Sequence, residues 1–469
     1  MVDDVPLWMP TPDRIARAPI TAFMAEASAR AGNSFSSYAE LHRWSIERRE
    51  DFWSLLWDFC SVVGDKGERV LVDGDRMPGA SFFPDARLNF AENLLRKRGS
   101  ADAIVFKGED KVLRRLSFDD LHALVSRMQQ LFISLGVKKG DRVAAMMPNM
   151  PEAVAGMLAA ASLGAVWSSC SPDFGEQGVL DRFGQIEPVV FLAPDGYWYN
   201  GKQNDVTAKV QAVLTKLPSV RQVILVDYLG TARQAATAMP KAVALDVALA
   251  AFEAKDVAFE RLPFNHPLYI LFSSGTTGIP KCIVHSAGGA LLQHLKEQQL
   301  HGGLKEGDRL FYFTTCGWMM WNWLVSGLAT GATLLLYDGS PFHPDGNILF
   351  DYAVSEKMTY FGTSAKFIDT LRKSGLRPID SHDLSTVRTV SSTGSPLSPE
   401  GFAFVYDGIK KDVHLASISG GTDIMACFVL GVPVEPVWSG EIQGAGLGMA
   451  VDVWDEEGRP VEQQKGEPS

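Results

Sequence analysis

The sequence predicts an α/β fold built on parallel sheets, arranged as two successive sections of similar rhythm within one large unit. Three observations predict it. Short continuous apolar runs of strand length, such as "DRVAAMM" at 141–147 and "LYILFSS" at 268–274, are bounded by polar turns, the pattern of strands buried on both faces. These runs alternate with stretches of helical spacing, which calls for crossover connections. Hydrophobic residues make up 46% of the 469-residue chain and charged residues 21%, enough apolar material for a sizeable core.

Taken in order, residues 1–98 form a helical, aromatic segment that embraces the main unit. Leu41, Trp44, Ile46, Phe52, Trp53, Leu56 and Phe59 recur near helical spacing, with Ser36 and Ser37 as candidate N-caps. Residues 99–264 are assigned to a first α/β section. It opens on a hairpin, "AIVFKG" and "RRLSF", followed by a helix that Ser117 caps and Gly136 ends, with Asp119 and Asp120 in its first turn. Strands at "DRVAAMM", "AVWSSCS", "VVFLAP" and "QVILVD" follow, and the Ala/Gly-rich "PEAVAGMLAAASLG" between the first two suits a tightly packed buried helix. The Ala-rich stretch 229–260 reads as a surface helix and connector. Residues 265–436 repeat the rhythm, with strands at "LYILFSS", "DRLFYFTT", "ATLLLYD", "MTYFGTS", "TVRTVSST" and "HLASISG". Residues 437–469 turn to short β pieces, with "DEEGRP" as a turn.

Composition excludes several classes. A net charge of −11 disfavours a nucleic-acid binder, which needs a basic face. The five cysteines are scattered and form no CxxC pair, against a disulfide framework or a zinc site; buried thiols are the expectation. The N-terminus opens acidic and carries no apolar signal core, and the longest apolar run, Ala153 to Trp167, is shorter than the ~20 residues that span a bilayer. The expectation is a soluble, cytoplasmic chain with no membrane and no nucleic-acid partner. Its oligomeric state is left open.

The stretch "SSGTTGIPK" at 273–281 leaves the end of an apolar strand, which is not where a flexible linker begins. Gly275 and Gly278 permit positive φ and close backbone approach. The hydroxyls of Ser273, Ser274, Thr276 and Thr277, with successive N–H groups, can donate to phosphate oxygens, and Lys281 adds a point charge. This is not the P-loop of kinases and GTPases, because Pro280 precedes the lysine and no Ser or Thr follows it. "STGSPLSP" at 392–399 and "SISGGTDI" at 417–424 also follow strands. Read alone, the first is a β-turn and the second a helix cap; Asp423 also offers a carboxylate oxygen for a hard cation. All three loops lie where ligands bind in open α/β sheets.

In that order, the three strings resemble the AMP-forming acyl-CoA synthetase, adenylation-domain and luciferase superfamily. The resemblance implies its large domain: two stacked αβα subdomains plus a β region at the C-terminal end. It also implies ATP and Mg²⁺, with coenzyme A as the thiol substrate. Lys281, Thr422 and Asp423 become the catalytic candidates, Asp423 holding the metal. Ser273, Ser274, Gly275, Thr276, Thr277 and Gly278 become the phosphate loop, and Gly394, Ser395 and Pro396 the segment beside adenine. Cys282 stands where members usually carry Gly, and Asp423 where they carry Glu. Lys202, in "GYWYNGK", resembles a coenzyme A contact, with a solvated surface lysine as the alternative. "GWMMWNWLVSGLATGATLLLYDGSP" corresponds to the acyl-pocket segment, which implies Trp318, Met319, Met320 and Thr393 as pocket positions. Gly420 lies where acetate-specific members place a large tryptophan, so its absence implies a pocket deeper than acetate.

Longer strings, "ARLNFAENLLR" and "GAVWSSCSPDFG" among them, resemble the acetoacetate-activating branch of the superfamily across essentially the whole chain. Acetoacetate is therefore the expected acid. Propionate or butyrate, or a non-catalytic nucleotide-binding remnant, stay open. Relatives continue beyond "KGEPS" with a ribose-binding aspartate and a small mobile domain carrying a lysine used in adenylation, so weak or no full turnover is the expectation for the chain by itself.

Overall fold

The computed structural model describes residues 5–273, 278–461 and 467–468. Two seven-stranded sheets organise it. The first runs, in spatial order, Ala242–Ala244, Gln222–Val226, Val190–Pro194, Arg142–Met146, Val166–Cys170, Pro267–Ser273 and Lys281–Ser286. The second runs His414–Ser417, Thr389–Thr393, Tyr360–Ser364, Arg309–Tyr312, Thr333–Asp338, Asp102–Gly108 and Val112–Ser117. Within each sheet the neighbours are parallel except at one edge, where a hairpin adds an antiparallel strand. The parallel α/β expectation therefore holds, including the hairpin at 102–117 and the Ser117 capping box on the helix Phe118–Ser134.

The sheets do not follow the ranges 99–264 and 265–436. The hairpin from the first range completes the second sheet, and the strands Pro267–Ser273 and Lys281–Ser286 from the second range complete the first. A sheet edge takes whichever strand covers its open backbone groups, and chain position does not enter that choice. Strand Ala242–Ala244 was not predicted at all. Its three small residues carry no readable period, and it is placed by parallel pairing with Val223, Ile224 and Leu225.

The helix Pro151–Ser162 is buried at every residue, and a single apolar core joins it to side chains of both sheets, among them Val143, Val190, Leu310 and Leu334. The aromatic N-terminal segment breaks into helices Tyr38–Glu47 and Arg49–Phe59 at Arg48. Leu41, Trp44, Phe52, Trp53 and Leu56 are buried, and Ser37 caps the first helix. The segment also grips the late part of the chain. The His42 ring bonds the Met449 carbonyl at 2.9 Å, the amide of Gly448 donates to Ser45 Oγ at 2.8 Å, and Trp8 and Val437 form a bridge.

Buried titratable groups make this core sensitive to acid. Burial pushes His294 and His301 down to about 3 and His414 down to about 4, and pushes Asp338 up to about 7. The two kinds act in opposite senses. A depressed imidazole contributes stability above its ordinary 6.5 that is lost as pH falls towards its folded value; the raised carboxyl contributes stability below its ordinary 3.8 that is lost as pH rises towards 7. Counting His122 and His285, also lowered by burial, five imidazoles stand against three raised carboxyls, Asp338, Glu297 and Glu435, so stability falls as pH drops from 6.5 to 4. Urea unfolding midpoints measured across that window should fall with pH, and more steeply in Asp338→Asn.

Candidate active site

Strand Pro267–Ser273 ends at the glycine-rich stretch, and the chain returns as the antiparallel strand Lys281–Ser286, with Ser273 and Lys281 paired across the hairpin. Ser274, Gly275, Thr276 and Thr277 lie outside the described residues. Gly278 has φ +105°, a backbone conformation that other residues rarely adopt. Lys281 is exposed beside the loop. Cys282 is exposed too, whereas the other four cysteines are buried, so the expectation of five buried thiols fails at this one. On this edge strand beside a loop both faces reach solvent, and every residue of Lys281–Ser286 is exposed or half-buried.

Strand Ser419–Gly421 turns through Thr422 and Asp423 into strand Ala426–Leu430. This turn is tied to the first sheet: the His285 ring, on the strand that follows the glycine-rich stretch, bonds the Thr422 carbonyl at 2.7 Å. Burial lowers the pKa of His285, while that carbonyl and the charge of Asp423 work against the shift. A neutral ring then donates Nε2–H to the carbonyl. The Thr393 hydroxyl donates to Ile418 O at 3.2 Å, and the Ile418 amide donates to Ser392 O at 2.9 Å. Exposed Gly394, Ser395 and Pro396 follow directly. Two of the predicted loops thus meet at adjacent strand ends of the second sheet, and His285 ties the Thr422–Asp423 turn to the strand Lys281–Ser286 of the first sheet.

Beside this junction lies a narrow cleft, its cavity volume about 10 Å³, lined in part by Met320, Trp323, Tyr360, Ile418 and Cys427. Among the expected pocket positions, Met320 lines it. Thr393 bonds one lining residue, Ile418, and Gly420 pairs across the hairpin with another, Cys427. Met319 is buried at the start of helix Met319–Ser326, whereas Trp318, the residue before that helix, is 69% exposed and lies off this cleft. The cleft has a polar wall that sequence reading missed. Glu297 is buried on it and accepts from Trp323 Nε1 at 3.0 Å and the Cys427 amide at 2.7 Å. Burial raises its pKa and lowers that of the adjacent, equally buried Lys296. Both belong to a π-helical turn, Lys296–His301. The signal was present as a Lys-Glu pair between Leu295 and Leu300 in "ALLQHLKEQQLHGG".

Lys202 is exposed at the start of a second strand in an unpredicted hairpin, Gly196–Tyr199 paired with Lys202–Asp205. The dipeptide Asn200-Gly201 that makes its turn is the sequence signal that could have found it.

This geometry suits phosphate and a hard cation. The exposed Asp423 carboxylate stands on a turn held from two sheets, and its oxygens are the donor type that Mg²⁺ takes. Sequence comparison points the same way. The family model for AMP-binding enzymes matches residues 90–467, and one for the acetyl-coenzyme A synthetase N-terminus matches residues 38–94. An acetoacetyl-coenzyme A synthetase of Rhizobium meliloti (strain 1021) is 63% identical over 98% of this chain and 71% of its own length. A malonamoyl-CoA synthetase of Penicillium aethiopicum is 40% identical over 92% of this chain and 64% of its own length. The solved structure of acetoacetyl-CoA synthetase from Streptomyces lividans superposes with a TM-score of 0.92 at 43% identity, covering 99% of this chain and 72% of that one. Among the described residues no helix is long and apolar enough to cross a membrane. With the loops, the cleft and these relatives in agreement, the chain belongs to the AMP-binding enzyme family and, within it, to the acetoacetyl-CoA synthetases, a group of acid–thiol ligases.

Proposed function

We propose that the chain activates acetoacetate with Mg–ATP and transfers the acyl group to coenzyme A. The observation that carries this reading is the His285–Thr422 bond, which sets the Thr422–Asp423 turn against the strand leaving the phosphate loop and beside the cleft. The acid's carboxylate oxygen bonds to the α-phosphorus of ATP as the α–β phosphoanhydride breaks, and pyrophosphate leaves. The sulfur of coenzyme A, losing its proton, then attacks the acyl carbonyl and AMP leaves. No protein nucleophile is needed, and catalysis rests on positioning and charge neutralisation. Ser273, Gly278 and Lys281 serve the phosphates, with Thr422; Asp423 holds Mg²⁺. Gly394, Ser395 and Pro396 flank the adenine, Met320, Thr393 and Gly420 bound the acyl site, and Lys202 meets the coenzyme A phosphates.

A second acid has support from a relative. The Penicillium protein is named for malonamate, which shares with acetoacetate a carbonyl two carbons from the carboxyl. Acid-dependent pyrophosphate release from Mg–ATP, measured with acetoacetate, malonamate, propionate and butyrate, should be greatest with acetoacetate. Equal release with butyrate would overturn the assignment.

A further inference from the structure

Glu109 is buried at the turn of the hairpin that closes the second sheet. Its Oε1 accepts from the Asn200 amide at 2.8 Å and the Ser340 amide at 2.9 Å, and its Oε2 accepts from the Gly201 amide at 2.9 Å. One carboxylate therefore joins three segments: the edge hairpin, the chain leaving strand Thr333–Asp338, and the tip of the hairpin 196–205. That tip is a two-residue turn in which Asn200 and Gly201 both have positive φ, 51° and 70°, the form that matches strand twist. A Cβ on Gly201 would stand 2.6 Å from the His343 ring. The base of the hairpin is held separately, by Asp195, which accepts from the amides of Tyr228, Leu229 and Thr231. Asp110 and His343 bring ligand atoms within 4.8 Å of those of Glu109. A metal there would compete with three amides for the same two oxygens, so the carboxylate is read as an amide clamp.

We infer that Glu109 is a positioning residue for coenzyme A: its carboxylate fixes the Asn200-Gly201 turn and thereby the place of Lys202, the next residue. This rests on the proposed role of Lys202. The clamp lies apart from the nucleotide loops, so its loss separates thiol binding from nucleotide binding. A general loss of structure does not.

The test is titration calorimetry of the full chain with coenzyme A in the presence of AMP, and separately with ATP. In Glu109→Gln the side-chain amide turns a donor towards one of three donors. Its Kd for coenzyme A should rise about tenfold, while its Kd for ATP stays within about twofold. Gly201→Ala strains the same turn from the other side and should give the same split; it also serves if Glu109→Gln fails to fold. Lys202→Ala tests the underlying reading and should weaken coenzyme A as well. If Lys202→Ala weakens coenzyme A while Glu109→Gln and Gly201→Ala do not, the clamp inference is overturned and the contact stands. If both turn variants weaken coenzyme A but Lys202→Ala does not, the proposed role of Lys202 fails and the inference that Glu109 places it is overturned. Parallel loss of ATP and coenzyme A binding would reduce Glu109 to a structural role and overturn the inference.

Discussion

Replacing Asp423 by alanine should lower acetoacetate-dependent pyrophosphate release by about 10²–10³-fold, the scale of losing one preorganised charge-stabilising group. The physical ground is the turn itself. Thr422 is held through its backbone carbonyl by His285, so truncating the neighbouring exposed side chain removes a carboxylate without releasing the turn. Thermal unfolding should therefore be nearly unchanged while activity collapses. Asp423→Glu keeps the oxygen donors on a longer arm and should recover much of the loss. Release that persists in Asp423→Ala at saturating Mg–ATP would show that the cation is held elsewhere.

Gly420→Trp should abolish activity and also destabilise the fold, by about 1–3 kcal/mol. Beyond the pocket role proposed for it, this position is set by the backbone around it. A Cβ on Gly420 would stand 2.2 Å from the Ala426 carbonyl oxygen and 2.7 Å from Cys427 Cα. Both are backbone atoms, which no rotamer change can move aside. Any side chain here pushes the two strands of the hairpin apart, shifts the Thr422–Asp423 turn between them, and strains the 2.7 Å bond from the Cys427 amide to Glu297. Gly420→Ala separates the two effects. If alanine already costs activity and midpoint in urea, the glycine is required by the hairpin. If alanine is silent and tryptophan only shifts preference from acetoacetate to acetate, the wall alone matters.

The turns at 394–396 and 422–423 were legible as strand-end turns because each follows an apolar run with a cluster of Ser, Thr, Gly or Pro. Ser117 and its helix were legible for an equally local reason, a cap followed by helical periodicity. Glu109 was not, because its three partners come from residues 200, 201 and 340, and nothing near it in sequence announces them. The Lys296-Glu297 pair carried a signal, but that Glu297 lines the cleft depends on strands more than a hundred residues further along.

By itself, then, the sequence determined the alternation of strands and helices, which follows from local period and turn chemistry, and the family, through the resemblance of its strings. Tertiary structure alone decided which strands complete which sheet, that His285 ties Thr422 to the strand after the glycine-rich stretch, and that Gly420 has no room for a side chain. The reason is physical: hydrogen-bonding edges and packing distances are properties of segments brought together in space, and pairings across a hundred residues leave no period in the chain.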